Sequence, residues 1–164
     1  MPSGPFAHVC LLVNDLDKAV EDWTKILGAL DPRQLERQIV RYDDFDGGGD
    51  AVRWATFVAD HGAEIQLMEP GPETHLGKRL AKHGEHVHHI CFTAPDLPEA
   101  VGRLEKRGIK LTSTELQNDP GLPWQHWTFI SKASSHGALV ELAYPYRPVD
   151  GVWEPGEGAP AAAS

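Results

Sequence analysis

The chain has 164 residues, of which 41% are hydrophobic and 24% are charged, a composition typical of one globular domain or of two small modules sharing a core. Its formal net charge of -9 argues against nucleic acid and anionic membranes as main partners, because both require clustered Lys and Arg. No segment has the length of an apolar membrane span, and the N-terminus lacks a signal-peptide pattern, so we expect a cytoplasmic protein. We expect Cys10 and Cys91 to be buried free thiols.

The first predicted unit begins with a strand over residues 7–14. Period-two geometry gives this strand one purely aliphatic face, which should pack against helices, and turns His8 the other way. Asp15 is the predicted N-cap of a helix that ends at Gly28. Three strands are predicted to follow, at 35–45, 51–59 and 63–68. Residues 6–70 therefore form a predicted βαβββ module.

A second βαβββ module is predicted over residues 87–146, after a bridging helix within residues 71–86. Its elements are a strand at 87–93, a helix at 96–106, and strands at 109–116, 126–131 and 138–144. His88 falls on the strand face opposite His89, which indicates a structural role for it. The tail over residues 147–164 is expected to be irregular.

The two modules carry an internal repeat. The stretches HVCLLVNDLDKAV and HICFTAPDLPEAV begin at His8 and His89, 81 positions apart (89 minus 8), and match at several further positions. The last strands repeat as well, since Gln66 in AEIQLM corresponds to Glu141 in ALVELA. A lone polar side chain in a short aliphatic strand is costly without a partner, so we expect these four side chains to meet.

Over residues 6–145 the chain resembles the vicinal oxygen chelate superfamily, which includes glyoxalase I, methylmalonyl-CoA epimerase, extradiol dioxygenases and the bleomycin and fosfomycin resistance proteins. The stretches HVCLLVNDLDKA, IQLMEP, HVHHICF and GALVELA are most similar to motifs of the methylmalonyl-CoA epimerases. The resemblance implies an α+β fold in which two tandem βαβββ modules form a curved, cleft-containing mixed sheet with helices on its outer face. It also implies a homodimer.

The resemblance further implies a metal site with His8, Gln66, His89 and Glu141 as ligands. The residue types agree, because two imidazoles, one amide oxygen and one carboxylate suit a divalent ion such as Co, Ni, Mn, Fe or Zn. Octahedral coordination would leave two positions for oxygens of a small-molecule substrate, which is an arrangement for Lewis-acid chemistry.

The reaction implied by the resemblance is epimerisation or isomerisation through a metal-stabilised enolate, with methylmalonyl-CoA or a related carbonyl acid as substrate. Glu141 would be one base. The family's second base is a Glu that lies 16 residues before the second ligand, and counting back from Gln66 gives Asp50. Asp reaches about 1.5 Å less far than Glu. Asp50 fits a turn residue after three glycines at least as well.

The segment NDPGLPWQHW replaces an AHGK-like stretch of the epimerases and adds aromatic residues near the predicted cleft. Strand parity puts Trp54 on the same face as Asp50, so Trp54, Trp124 and Trp127 are candidates for an aromatic substrate pocket. Core packing or a dimer interface explains these tryptophans equally well. His126 is a further candidate acid or base at the substrate.

Three other functions of the superfamily remain open. They are a glyoxalase I-type lyase, an extradiol dioxygenase using Fe(II), and a resistance protein that only binds a small molecule. Three basic residues of the bridging helix would suit an anionic group of a substrate, or simply a solvated helix face: Lys78, Arg79 and Lys82.

Overall fold

The computed structural model describes residues 5–47, 50–61, 63–113 and 115–162, without the side chains of residues 46, 47, 50 and 119. The strands of this part are β1 (Phe6–Leu12), β2 (Val40–Gly47), β3 (Asp50–Phe57), β4 (Glu64–Pro70), β5 (His86–Thr93), β6 (Gln117–Asp119), β7 (Leu122–Ile130), β8 (Val140–Ala143), β9 (Tyr146–Val149) and β10 (Val152–Pro155). The helices are α1 (Leu16–Leu30), α2 (His75–His83) and α3 (Leu97–Lys106), with a 3-10 helix at Pro32–Leu35.

Eight strands form one mixed sheet in the order β2-β3-β4-β1-β5-β8-β7-β6. Each half of the sheet contains one parallel pair, which is β1 with β4 in the first half and β5 with β8 in the second. Antiparallel strands extend each pair: β3 and β2 follow β4, and β7 and β6 follow β8. The two halves meet where β1 pairs antiparallel with β5. The predicted fold class is therefore confirmed, and both modules join within a single chain. The limits of the modules at residues 6–70 and 87–146 stay a prediction.

Helix α1 covers the aliphatic face of the first half-sheet, as predicted. The side chain of Asp15 caps the helix by accepting a hydrogen bond from the backbone N–H of Lys18 at 3.0 Å. The helix buries Leu16 and Leu27 against Leu67 of β4 and neighbouring apolar side chains. It runs two residues past Gly28, because a helix interior tolerates a glycine at a cost of only about 1 kcal/mol.

Two predicted segments differ in the structure. Among the described residues of the range 109–116, an isolated bridge between Leu111 and Ile130 takes the place of the predicted strand and precedes the short strand β6. The tail is not irregular over its first part, because β9 and β10 pair as a hairpin. Asp150 and Gly151 form its two-residue turn with φ of 50° and 79°, which is the Asp-Gly signal for a tight hairpin.

Cys10 and Cys91 are buried and free, as predicted. Within the described ranges, no helix combines the length and the apolar character that crossing a bilayer requires.

Candidate metal centre and its cavity

The four predicted ligand positions lie on the four central strands of the sheet. The register pairs are His8 with Cys91, Cys10 with His89, Cys10 with Gln66, and Cys91 with Glu141. His8 and His89 are thus diagonal neighbours across the β1–β5 pair, a spacing that long side chains bridge. All four line one cavity, with the two small thiol side chains between them in the register.

The polar atoms of this cluster are close together. Nε2 of His8 lies 3.1 Å from Nε2 of His89, and Oε2 of Glu141 lies 2.7 Å from the same His89 atom. His8 Nε2 and Glu141 Oε2 are 3.9 Å apart. Two ligands at right angles, each about 2.1 Å from an ion, are separated by about 3 Å, so the spacing of the imidazoles suits neighbouring coordination positions.

The amide of Gln66 contacts the neighbouring strand β3. Its Nε2 donates to Oγ1 of the buried Thr56 at 3.5 Å, and among the described residues no hydrogen bond engages its Oε1. An amide oxygen is the atom of Gln that binds a divalent ion. With Gln66 on the cavity wall, the donor set is two nitrogens and two oxygens.

The protonation states also suit a ligand set. Burial, reinforced by the neighbouring His89, lowers the pKa of His8 from 6.5 to about 3, so the imidazole is neutral at pH 7. Burial alone would raise the pKa of Glu141, but the charge and hydrogen bond of His89 outweigh it and hold this pKa below its usual value. A neutral imidazole and a charged carboxylate are the forms that bind metal ions. The residues therefore fit a divalent ion.

Two residues that the sequence did not indicate, Tyr146 and Glu64, form a hydrogen-bonded chain to Nδ1 of His8. Its Nδ1 lies 2.8 Å from the hydroxyl of Tyr146, and this hydroxyl donates to Oε1 of Glu64 at 2.9 Å. Glu64 is fully buried and its Oε2 also accepts from the backbone N–H of Ala59 at 3.4 Å. Burial raises the pKa of Glu64 to about 7, against a smaller opposing effect of the Tyr146 hydrogen bond.

His88 does not lie on the face opposite His89, which corrects the expectation from strand alternation. Its Nδ1 is 2.8 Å from Nδ1 of His89, and it lines the cavity. The β1–β5 register shifts between Cys10 and Leu11, so this bulge breaks the alternation on which the expectation depended. Burial, followed by the charge of His89, lowers the pKa of His88 to about 3.

Cys91 also lies within 4.8 Å of ligand atoms of His8 and Glu141. Burial, followed by the charge of Glu141, raises the pKa of its thiol well above the usual value. Without an ion the thiol is therefore neutral, but a bound divalent ion would favour the thiolate, so Cys91 is a further candidate ligand beside the predicted four.

The cluster opens into a cavity of about 490 Å³ with an aromatic wall. The three predicted tryptophans, Trp54, Trp124 and Trp127, all line it. The C-terminal hairpin adds Trp153, whose ring stacks with that of Trp54 at a centroid distance of 6.4 Å. The backbone N–H of Trp153 donates to the hydroxyl of Tyr42 at 2.9 Å, which fastens the hairpin to β2.

His126 does not take the predicted position. It does not belong to the cavity lining among the described residues, and its ring packs edge-on against Tyr144, at 6.0 Å. Tyr144 belongs to the cluster beneath α3, so His126 lies away from the cleft. The side chain of Asp50 lies outside the described part. The backbone of Asp50 begins β3 with the parity of Val52, which lines the cavity.

One rim of the cavity is basic. Arg79 of α2 and Lys132 line it, whereas Lys78 and Lys82 do not. Arg79 donates from Nε to Nε2 of His86 at 3.2 Å. Within the described residues neither Arg79 nor Lys132 forms an ion pair with a carboxylate, so both charges remain available to an anionic group.

Solved structures share this architecture. Methylmalonyl-CoA epimerase from Mycobacterium tuberculosis matches with a TM-score of 0.64 and 23% identity, covering 90% of this chain and 93% of that one. A Streptomyces coelicolor methylmalonyl-CoA epimerase in complex with 2-nitronate-propionyl-CoA matches with a TM-score of 0.61 and 23% identity, covering 86% and 96%. At these identities the likeness concerns the fold.

Sequence comparisons agree. The human mitochondrial methylmalonyl-CoA epimerase is 28% identical over 141 residues, which cover 85% of this chain and 73% of the human protein. The sequence model of the Glyoxalase/Bleomycin resistance protein/Dioxygenase superfamily matches residues 7–122. This match spans more than half of the chain, from β1 through the start of β7. The chain therefore belongs to the Glyoxalase/Bleomycin resistance protein/Dioxygenase superfamily.

Proposed function

We propose that this protein is a divalent-metal-dependent epimerase or isomerase that acts through an enolate on an acyl thioester or a related carbonyl acid. Methylmalonyl-CoA is the first substrate to test, because relatives named for that activity cover most of the chain. The observation that carries the proposal is the convergence of two imidazoles and a carboxylate within 3.9 Å, inside an aromatic cavity.

His8, Gln66, His89 and Glu141 are the proposed ligands of the ion. A divalent ion held there would supply Lewis-acid stabilisation of negative charge on two oxygens of a substrate. Zn, Co, Ni, Mn and Fe all accept this mixture of nitrogen and oxygen donors.

Glu141 is the proposed base on one side of the α-carbon. The α C–H bond breaks, the proton passes to the Glu141 carboxylate, and the electron pair of the bond is delocalised over the carbonyl as the enolate. Epimerisation then requires a proton from the opposite side, and Asp50 is the proposed donor there. Its place on β3, with the parity of Val52 and Trp54, supports this role.

The walls of the cavity suggest how the substrate is held. Trp54, Trp124 and Trp127 offer apolar area for an acyl group or for part of a thioester arm. Arg79 and Lys132, at the basic rim, are the proposed contacts for a negatively charged group at the far end of the substrate. His126 has no proposed role at the substrate.

The direct test is proton NMR of methylmalonyl-CoA in D2O with metal-loaded protein and with an EDTA-treated control. Loss of the α-proton signal in the metal-loaded sample alone is the expected result. Glu141→Gln, which keeps the shape of the side chain, should abolish exchange of the α-proton that faces Glu141. Retention of the α-proton by a protein with demonstrated metal binding would reject this substrate.

The second base is tested with separate epimers. Asp50→Asn should stop exchange of the α-proton that faces Asp50, while the opposite epimer still exchanges through Glu141. Equal exchange rates for both epimers in this variant would remove Asp50 from the mechanism. The homodimer and the cytoplasmic location stay predictions of the sequence, to be tested by sedimentation and by cell fractionation.

A further inference from the structure

The C-terminal hairpin, β9 with β10, brings one side chain to the metal centre that the repeat does not contain. Tyr146 is the first residue of β9, beyond β8 and beyond the part that matches the superfamily model. Its hydroxyl lies 2.8 Å from Nδ1 of His8. Tyr146 and His8 are both buried, with 6% and 4% of their surfaces exposed, so no bulk water competes for this contact.

The direction of the hydrogen bonds follows from Glu64. This residue lies beside His8 in the β1–β4 register, and its two oxygens accept from Tyr146 and from the backbone N–H of Ala59. When Glu64 is ionised, the only O–H proton of Tyr146 points to its Oε1, so the phenol oxygen accepts at the other contact. Nδ1 of His8 therefore carries the proton and donates to Tyr146, and Nε2 carries the lone pair.

That lone pair lies on the cavity side. Nε2 of His8 is the atom 3.1 Å from His89 and 3.9 Å from Glu141. In the other tautomer Nε2 would carry a proton, and it would have no lone pair for an ion. Partners of the second ring nitrogen commonly set the tautomer and the orientation of metal-binding histidines.

The position of the hydroxyl is itself fixed by packing. The ring of Tyr146 meets that of Trp153 edge-on at 4.5 Å, and Trp153 is fastened to Tyr42 and stacked on Trp54. Tyr146 also pairs with Pro155 in the hairpin register. The phenol therefore has little freedom to leave His8.

We propose that Tyr146, held by Glu64, is a positioning residue of the metal centre that fixes His8 with its Nε2 lone pair directed at the ion. This inference rests on the metal-binding part of the proposed function, and not on the identity of the substrate. It makes the C-terminal hairpin part of the metal centre.

The test is calorimetric titration of the EDTA-treated protein with CoCl2. Tyr146→Phe keeps the ring and its packing but removes the acceptor oxygen, and should weaken Co(II) binding 10- to 100-fold, as loss of such partners typically does. Tyr144→Phe is the matched control, because this ring packs beneath α3 and outside the centre. It should bind Co(II) like the wild type.

A second readout reports on the tautomer itself. In 15N NMR of the metal-free protein at pH 8, where Glu64 is ionised, His8 should show a protonated Nδ1 in the wild type and a mixture of tautomers in Tyr146→Phe. His8→Gln identifies its signals. Glu64→Leu, which leaves Tyr146 without its acceptor, should lose more affinity than Glu64→Gln, which keeps one. The order of Co(II) affinities in the two Glu64 variants does not depend on Tyr146→Phe, so it tests the inference even if Tyr146→Phe lowers the overall stability.

The outcomes separate this inference from the proposed reaction. Co(II) affinity within twofold of wild type in Tyr146→Phe, with an unchanged His8 signal, overturns the role of Tyr146 even in an active epimerase. A wild type that binds Co(II) but exchanges no α-proton refutes the proposed reaction, while the loss of affinity in Tyr146→Phe still supports this inference. A wild type that binds no Co(II) overturns the inference.

Discussion

Acid should destabilise the metal-free protein through its buried histidines. His8 and His88 have pKa values of about 3 in the folded state against 6.5, so folding favours their neutral forms. The stability that this contributes is fully present above pH 6.5 and is lost as the pH falls toward 3. For His8 alone, the difference between 6.5 and about 3 corresponds to roughly 5 kcal/mol.

Glu64 acts in the opposite direction. Its folded-state pKa of about 7 lies above the ordinary 4.5, so the folded protein favours the protonated acid. The stability it contributes is present below pH 4.5 and is lost as the pH rises through 7. Between pH 4.5 and 6.5, His8 and His88 thus bind two protons in the unfolded chain and none in the folded chain, whereas Glu64 binds one proton in the folded chain only.

For these three groups the unfolded chain therefore binds one more proton than the folded chain, and this difference sets the slope of the unfolding free energy against pH. The contribution of these three groups to the free energy of unfolding should rise by about 1.4 kcal/mol per pH unit between pH 4.5 and 6.5, with a maximum near pH 6.5. His88→Gln should flatten this slope to near zero, whereas Glu64→Gln should double it to about 2.7 kcal/mol per pH unit.

Urea denaturation followed by tryptophan fluorescence, on EDTA-treated protein at half-unit steps from pH 4 to 8, measures these slopes. His136→Asn is a suitable control, because His136 is exposed and has a φ of 56° that Asn tolerates. A wild-type profile that is flat from pH 4.5 to 6.5 would refute the reasoning. So would a His88→Gln profile that keeps the wild-type slope.

Three further results are expected. CoCl2 at a hundred times its Kd should raise the free energy of unfolding by about 2.7 kcal/mol, and His89→Ala should abolish this gain in urea titrations; an undiminished gain would place the ion elsewhere. Trp153→Ala should cost about 3 to 5 kcal/mol of stability in the same assay, because the buried ring packs between Trp54 and Tyr146; a loss below 1 kcal/mol would contradict that packing. Arg79→Ala should raise KM for an acyl-CoA and leave kcat nearly unchanged, and added salt should reduce the difference in KM from the wild type. A fall in kcat alone would place Arg79 in the chemical step.

The meeting of the four candidate ligand side chains in one cavity was predictable because it depends on a repeat. His8 with His89, and Gln66 with Glu141, occupy equivalent strand positions, and strands of a duplicated unit pair in an equivalent register. The side of β1 that packs on α1 was predictable from its aliphatic face, because side chains alternate between the two faces wherever the register is regular.

What the sequence did not indicate depends on irregular or long-range structure. His88 reaches the cavity only because of the bulge opposite Cys10, which no alternation rule anticipates. Tyr146 meets Glu64 across 82 positions of the chain, and nothing in the repeat relates them. The Asp-Gly turn at residues 150–151 was a readable hairpin signal, but Pro- and Gly-rich surroundings favoured an irregular tail.

The central pairing of β1 with β5 has a kinetic consequence. His8 and His89 are 81 positions apart, so the chain must close a long loop before either half of the centre meets the other. Such distant contacts form late and slow the folding of small domains. An ion that requires both halves would therefore bind after the rate-limiting step, so it should prolong the lifetime of the native state and leave the refolding rate nearly unaltered.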